Sequence, residues 1–179
     1  MADVLHVVYA IESIDVYGLD DHDLFRRSNR EMNIQNAISM SVGILYIIPI
    51  ILYFLTKQSI HIKGWVGLLG TLGLSEMLKS DFIKESNPRP RGARDCNLFC
   101  NNGDQSGRPG MPSGHSSTVA YFTSFYYQQT SNPWIKCGLI AYAGLVMLSR
   151  YLKRCHSLQQ IAAGTVLGIA MSTLTYKLS

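Results

Sequence analysis

Long stretches with almost no charge constrain this chain more than any other feature of its sequence. Two of them, at 37–55 and 157–176, contain no charged residue, and each is about as long as the 20 residues that a helix needs to cross a bilayer. Three further apolar runs lie at 60–78, 113–135 and 137–148. We therefore predict an all-α integral-membrane helical bundle with about five transmembrane helices.

The composition agrees with a membrane protein. Only 16% of the residues are charged and 47% are hydrophobic, whereas soluble domains average nearer a quarter charged. The alternative is a soluble helical bundle with 136–150 as a buried core helix, and the two longest uncharged runs argue against it. The net charge is only +4 and the basic residues flank apolar runs, so no nucleic-acid partner is expected.

Residues 1–33 differ from the rest of the chain. The apolar positions at 4–11 suggest a short amphipathic helix that could lie in the membrane interface. No basic segment precedes this stretch and no cleavage site follows it, so we do not expect a signal peptide. We divide the chain into an N-terminal interfacial segment, 1–33, and a membrane domain, 34–179.

Two short motifs at the ends of apolar runs carry the candidate chemistry. The first is the tetrapeptide Pro-Ser-Gly-His at 112–115, and the second begins with Ser-Arg at 149–150 and ends at His156. If each apolar run crosses the membrane once, the chain alternates sides. Both motifs and the polar loop 79–112 then lie at the same membrane face, where their side chains can converge.

The residue types in these motifs suit the transfer of a phosphoryl group. Ser113 is placed to cap a helix whose first N–H groups face an anion, and Gly114 allows the backbone to approach closely. Arg150 can bind phosphate oxygens. Of His115 and His156, one can attack phosphorus while the other protonates the leaving oxygen. The loops offer no convincing cluster of Asp, Glu and His, so no metal or other cofactor is expected.

These motifs resemble those of the type 2 phosphatidic acid phosphatase superfamily of integral-membrane lipid phosphatases. Its signatures are Lys-x6-Arg-Pro, Pro-Ser-Gly-His and Ser-Arg-x5-His-x3-Asp, and the resemblance covers roughly residues 40–178. It implies that His156 is the nucleophile, forming a phospho-histidine, and that His115 is the general acid. Gln160, where aspartate is usual, would orient His156. The resemblance also implies a set of phosphate-binding residues in these motifs: Ser113, Gly114 and Arg150.

The first signature is imperfect in this chain. Lys84 and Arg91 have the right spacing but a glycine follows, whereas Arg89 is followed by the expected proline at the wrong distance. We expect Lys84 to bind phosphate together with Arg89 or Arg91, and leave the choice of arginine open. A small insertion between Lys79 and Arg89 is the alternative, although Lys79 itself is expected to face solvent or headgroups.

By resemblance, glutamine at position 160 is a feature of the dolichyl-diphosphatase and glucose-6-phosphatase branches. The segments at 87–90 and 110–113 also resemble the dolichyl-diphosphatase pattern. A polyprenyl diphosphate is therefore the favoured substrate. The alternatives are phosphatidate or another lipid monophosphate, and a non-catalytic protein of the same fold that binds lipid phosphate.

The cellular setting is only partly constrained. An endomembrane such as the endoplasmic reticulum is favoured. The positive-inside rule places the basic face in the cytosol, whereas a lumenal active site is typical of the dolichol branch. Cys96 and Cys100 share one polar loop, and we expect either free thiols or at most one loop disulfide. Glu76 is expected to be an interfacial carboxylate.

Overall fold

A computed structural model describes residues 34–178, and the regular secondary structure within this range is helical. Five helices follow one another, labelled here α1 Ile34–Thr56, α2 Ser59–Met77, α3 Gly114–Gln129, α4 Pro133–Leu152 and α5 Leu158–Lys177. The residues described contain no strand, only two isolated β-bridges. The all-α prediction is confirmed for this part of the chain, whereas the predicted interfacial helix at 1–33 lies outside the described residues.

Local sequence signals explain where several helices begin. Ser113 caps α3, its hydroxyl accepting a hydrogen bond from the Ser116 N–H. Asn132 caps α4 in the same way and is followed by Pro133, which is favoured at a first helical position. Ser157 and Gln160 form a reciprocal capping box at the start of α5. Within α1, the segment Val42–Tyr46 is 3₁₀-helical and lies just before Pro49.

Helix α3 lies at the centre of the compact unit Gln35–Ser179 and packs most extensively on α5. Two glycines of α5 make this close approach possible. A Cβ atom at Gly164 would lie 2.5 Å from the Ser113 carbonyl oxygen, and one at Gly168 would lie 2.3 Å from that of Ser117. Because α3 begins at this contact, the two glycines fix the position of His115 relative to α5.

Two helices of the described residues are long and apolar enough to cross a bilayer, Ile34–Thr56 and Pro133–Leu152. In each, only 22% of the most apolar window is buried, whereas a soluble core helix would be mostly enclosed. Their exposed side chains include large apolar residues: Ile44, Ile51, Phe54, Leu55, Ile140, Leu145 and Leu148. The count of five membrane crossings stays a prediction.

The polar segment between α2 and α3 has a defined structure. A π-helical turn, Leu78–Ile83, and a 3₁₀ turn, Lys84–Ser86, continue from α2. The remainder folds back on itself through antiparallel bridges between Pro88 and Pro109 and between Arg94 and Asp104. This loop, 87–113, covers the end of the bundle at which α3 begins and α4 ends.

A disulfide bond joins Cys96 of this loop to Cys155, with the two Cα atoms 5.5 Å apart. The expectation of free thiols or of a disulfide within the loop is therefore corrected. The loop lies against the end of α4, so that Ala93, Cys96 and Cys155 form a small buried cluster. Cys100 and Cys137 remain free.

Candidate active site

A cavity of about 340 Å³ opens under loop 87–113, at the same end of the bundle. Its wall combines polar groups with apolar side chains from α1, α2 and the loop. Its charged and imidazole side chains are those of Glu76, Lys79, Arg89, His115 and His156. The apolar part of the wall comprises Val42, Tyr46, Leu72 and Leu98. The cavity wall therefore combines charged groups with an apolar surface.

The amide of Gln160 has only one consistent orientation. Its Nε2 lies 2.7 Å from Asn87 Oδ1, 2.8 Å from the Pro88 carbonyl oxygen and 3.1 Å from that of Asn87. All three partners are acceptors, so the group among them must be the NH₂ donor. The amide oxygen then faces His156, with Oε1 3.2 Å from Nδ1 of the ring.

This orientation determines the tautomer of His156. Because Gln160 Oε1 can only accept, Nδ1 must carry the ring proton of the neutral imidazole, and Nε2 keeps its lone pair. Nε2 lies 3.0 Å from Nη1 of Arg89, which also donates to the Cys155 carbonyl oxygen. His156 therefore presents an unprotonated nitrogen beside a guanidinium group.

The surroundings of His156 disfavour its protonated form. The pKa of His156 lies well below its ordinary value because the ring is buried and because Arg89, Arg150 and Lys79 are positively charged; the hydrogen bond to Gln160 acts in the opposite direction. Burial also lowers the pKa of Arg89, and the carboxylate of Glu76 opposes this shift. The imidazole is thus available as a nucleophile at neutral pH.

His115 enters the same cavity from the first turn of α3. Its Nε2 is buried and has no hydrogen-bond partner among the described residues. The backbone N–H groups of Gly114 and His115 lie at the helix N-terminus, where they have no intrahelical acceptor and can bind an anion. Nε of Arg89 is likewise buried without a partner in the described part of the chain. An anion in the cavity could satisfy these donors.

Two residues expected at the phosphate lie behind the cavity wall. The side chain of Arg150 is fully buried, and it donates to Ser39 Oγ of α1 and to the carbonyl oxygen of Cys96. Ser113 is also fully buried, and its hydroxyl caps α3. In this structure both residues support the wall of the site rather than line it.

The structure does not bring Lys84 or Arg91 to the cavity, contrary to the sequence-based expectation. Both side chains are exposed. Lys79 lines the cavity instead, together with Arg89. The chain remains helical beyond α2 through the π and 3₁₀ turns, which accommodate the extra residues between Lys79 and Arg89. This placement agrees with the alternative of a small insertion between Lys79 and Arg89, which stays a prediction.

The sequence analysis did not favour Lys79 or Glu76 as part of this site. It names Lys79 only in the insertion alternative and otherwise expects it to face solvent or headgroups, and it expects Glu76 to be an interfacial carboxylate. Their separation of three residues on one helix was the available signal, since it places both side chains on one face. In the structure Lys79 Nζ lies 2.6 Å from Glu76 Oε1.

No metal-binding cluster is present in the residues described: no group of three or more His, Cys, Asp and Glu side chains is placed to hold an ion. The paired histidines and the cations around them nevertheless match the expected phosphatase motifs. The family model described as PAP2 superfamily matches residues 64–179. The chain belongs to the PAP2 superfamily.

The members of this superfamily are phosphatases that hydrolyse phosphate esters. The matched range includes most of α2, loop 87–113 and the three following helices, and so contains both histidines and every charged side chain of the cavity. Neither the curated proteins nor the solved structures gave a significant match. The family assignment therefore rests on the motifs and the family model together.

Proposed function

We propose that this PAP2 protein is an integral-membrane lipid phosphatase that works through a phospho-histidine intermediate and needs no metal ion. The observation that supports this most directly is the position of His156 Nε2 beside the half-buried Arg89, in the cavity that His115 also enters. A protein that only binds lipid phosphate needs cations. It has no need of an oriented imidazole with a lowered pKa.

The reaction would proceed in two steps. First, His156 Nε2 attacks phosphorus, a bond from phosphorus to the leaving oxygen breaks, and His115 donates a proton to that oxygen. Next, His115 accepts a proton from water, the water oxygen attacks phosphorus, and the bond to His156 breaks to release inorganic phosphate. Arg89, Lys79 and the first N–H groups of α3 would stabilise the phosphoryl oxygens.

We further propose that the substrate is a lipid and that the protein crosses the membrane several times. The exposed apolar surfaces of α1 and α4 suit contact with lipid tails. The apolar wall of the cavity suits the first carbons of a lipid chain next to its phosphate. Gln160 and the segments at 87–90 and 110–113 favour a polyprenyl diphosphate over phosphatidate or another lipid monophosphate.

The disulfide bond gives a physical argument for the side of the membrane. Disulfides persist in oxidising compartments and are rare in the cytosol. The bond between Cys96 and Cys155 lies directly beside the site, since Cys155 precedes His156. We therefore propose that the site lies on the lumenal face of an endomembrane and attribute the basic residues there to phosphate binding rather than to the positive-inside rule.

The test is phosphate release by the purified protein in detergent from polyprenyl diphosphate, phosphatidate and sphingoid phosphate. We expect release from at least one, with the highest kcat/KM for the polyprenyl diphosphate. We also expect no effect of EDTA and complete loss in His156→Ala. Binding of these lipids without release would show the non-catalytic alternative. Full release by His156→Ala would contradict the mechanism.

A further inference from the structure

The carboxylate of Glu76 is the one feature of the cavity that the proposed reaction does not explain. Its side chain is 57% exposed and lies on the wall of the site. A negative charge at this position repels a phosphate by Coulomb's law, the more strongly the less water surrounds it. A carboxylate in an anion site therefore needs a role that offsets its repulsion of the phosphate.

The partner of Glu76 suggests that role. The side chain of Lys79 is only 11% exposed, and its ammonium group makes one hydrogen bond among the residues described, to Glu76 Oε1. An ammonium group has three N–H donors, so two are left at the cavity wall. A lysine side chain has several rotatable bonds, and a single strong partner restricts where these donors point.

The ion pair is also close to the expected phosphate position. A Cβ atom built on Gly114 would lie 3.1 Å from Glu76 Oε1 and 3.9 Å from Lys79 Nζ. Gly114 is the first residue of α3, and its N–H is one of the groups expected to bind the phosphate. The lysine is therefore held within reach of the anion that the N-terminus of α3 would bind.

We propose that Glu76 is a positioning residue that acts through Lys79, holding the ammonium group against the N-terminus of α3 so that its remaining donors meet the phosphoryl oxygens. This inference rests on the proposed function and adds a residue to the phosphate site. Electrostatic repulsion alone would predict that loss of the Glu76 charge tightens phosphate binding, whereas this inference predicts the opposite. Removal of the negative charge should weaken phosphate binding, because the loss of an ordered lysine outweighs the loss of repulsion.

The experiment measures binding of inorganic phosphate by calorimetry, and the kcat and KM for the lipid substrate, in a double-mutant cycle. We expect Glu76→Gln to weaken phosphate binding about tenfold, the worth of roughly one charge-assisted hydrogen bond. Lys79→Met should weaken it at least as much. In the Lys79→Met background, Glu76→Gln should have no effect or tighten binding slightly. Glu76→Asp should restore part of the affinity in the single variant.

Asp81→Asn is the matched control. Asp81 is an exposed carboxylate in the turn after α2 and does not line the cavity, so its neutralisation should leave phosphate affinity unchanged. Equal or tighter phosphate binding by Glu76→Gln would overturn the inference, and so would equal weakening with and without Lys79. A parent protein that binds no phosphate and releases none would instead contradict the proposed function, which keeps the two failures distinct.

Discussion

At the residue scale, the direction of one amide group determines which nitrogen of His156 can react. Three acceptors hold the Gln160 NH₂ group, so its oxygen must face the ring. The glutamine thus does what the usual aspartate of the family does for the tautomer, but adds no negative charge. Burial and the neighbouring cations therefore keep the ring neutral, with no carboxylate to oppose them. A substitution that puts a carboxylate at position 160 is therefore the most informative one.

We expect Gln160→Glu to lower both stability and activity, although it introduces a carboxylate, as the usual aspartate does. The second carboxylate oxygen would face the carbonyl oxygens of Asn87 and Pro88 with no proton between them, at a cost of about 1–3 kcal/mol. Thermal unfolding in detergent and initial rates of phosphate release measure this. Gln159→Glu is the control, since Gln159 is exposed on the same helix. A more active Gln160→Glu protein would contradict the orientation of the amide.

The pH dependence of kcat/KM follows from the environment of His156. The nucleophile must be neutral, and its pKa is lowered by burial and by Arg89, Arg150 and Lys79. The group therefore stays unprotonated to a lower pH than an ordinary histidine. We expect the acid limb of kcat/KM, which reports the free enzyme, to fall below about pH 6.5. An acid limb above that pH would show that the ring is not held in its neutral form.

The sequence identified several residues of the cavity because their positions in short motifs are fixed by local structure. Gly114 and His115 follow directly from a capped helix start, and His156 and Gln160 lie on either side of Ser157, the cap of α5. The position of Lys79 beside Arg89 in the cavity could not be predicted from a local pattern. It depends on how a π turn and a 3₁₀ turn continue α2. Neither turn has a recognisable pattern in the sequence.

At the scale of the helices, the contact between α3 and α5 positions the acid relative to the nucleophile. Gly164→Ala would place a Cβ 2.5 Å from the Ser113 carbonyl oxygen, so α3 would have to move. We expect a loss of about 1–3 kcal/mol in stability and slower phosphate release, because His115 moves with α3. Chemical denaturation and the phosphate assay measure these effects.

The control for this substitution is Gly138→Ala on α4, where an added Cβ meets no atom within 4 Å. It should leave activity unchanged. Equal tolerance of both substitutions would show that the α3–α5 contact is looser than described.

The starts of α3 and α5 were readable from the apolar runs beginning at 113 and 157, since these signals are local. The boundary between α3 and α4 was not, because the run 113–135 contains both the end of α3 and the Asn132 cap of α4. The pairing of Cys96 with Cys155 was not readable either, because the two are 59 residues apart and meet only when loop 87–113 folds onto the end of α4. Sequence spacing alone favours the nearer Cys100 as the disulfide partner of Cys96. Long-range contacts of this kind depend on the assembled bundle.

At the scale of the whole molecule, we predict that the face carrying the cavity lies outside the cytosol. Ser86 and Ser131 are exposed and precede and follow α3, so they lie at opposite ends of the bundle. With Cys100 and Cys137 changed to serine, we expect Ser86→Cys in sealed endomembrane vesicles to be protected from a membrane-impermeant thiol reagent until detergent is added. Ser131→Cys should react at once, and the reverse pattern would contradict a lumenal site.

The most direct test of the central claim is to trap the phosphoryl group on the enzyme. An aryl phosphate has a leaving group that needs no protonation, so His115→Ala should still form the intermediate but hydrolyse it slowly. We predict that rapid quenching and mass spectrometry of this variant find phosphate on His156, in an acid-labile and alkali-stable linkage, and none in the His115→Ala/His156→Ala protein. Phosphate on another residue, or a double variant that still carries the label, would contradict the mechanism.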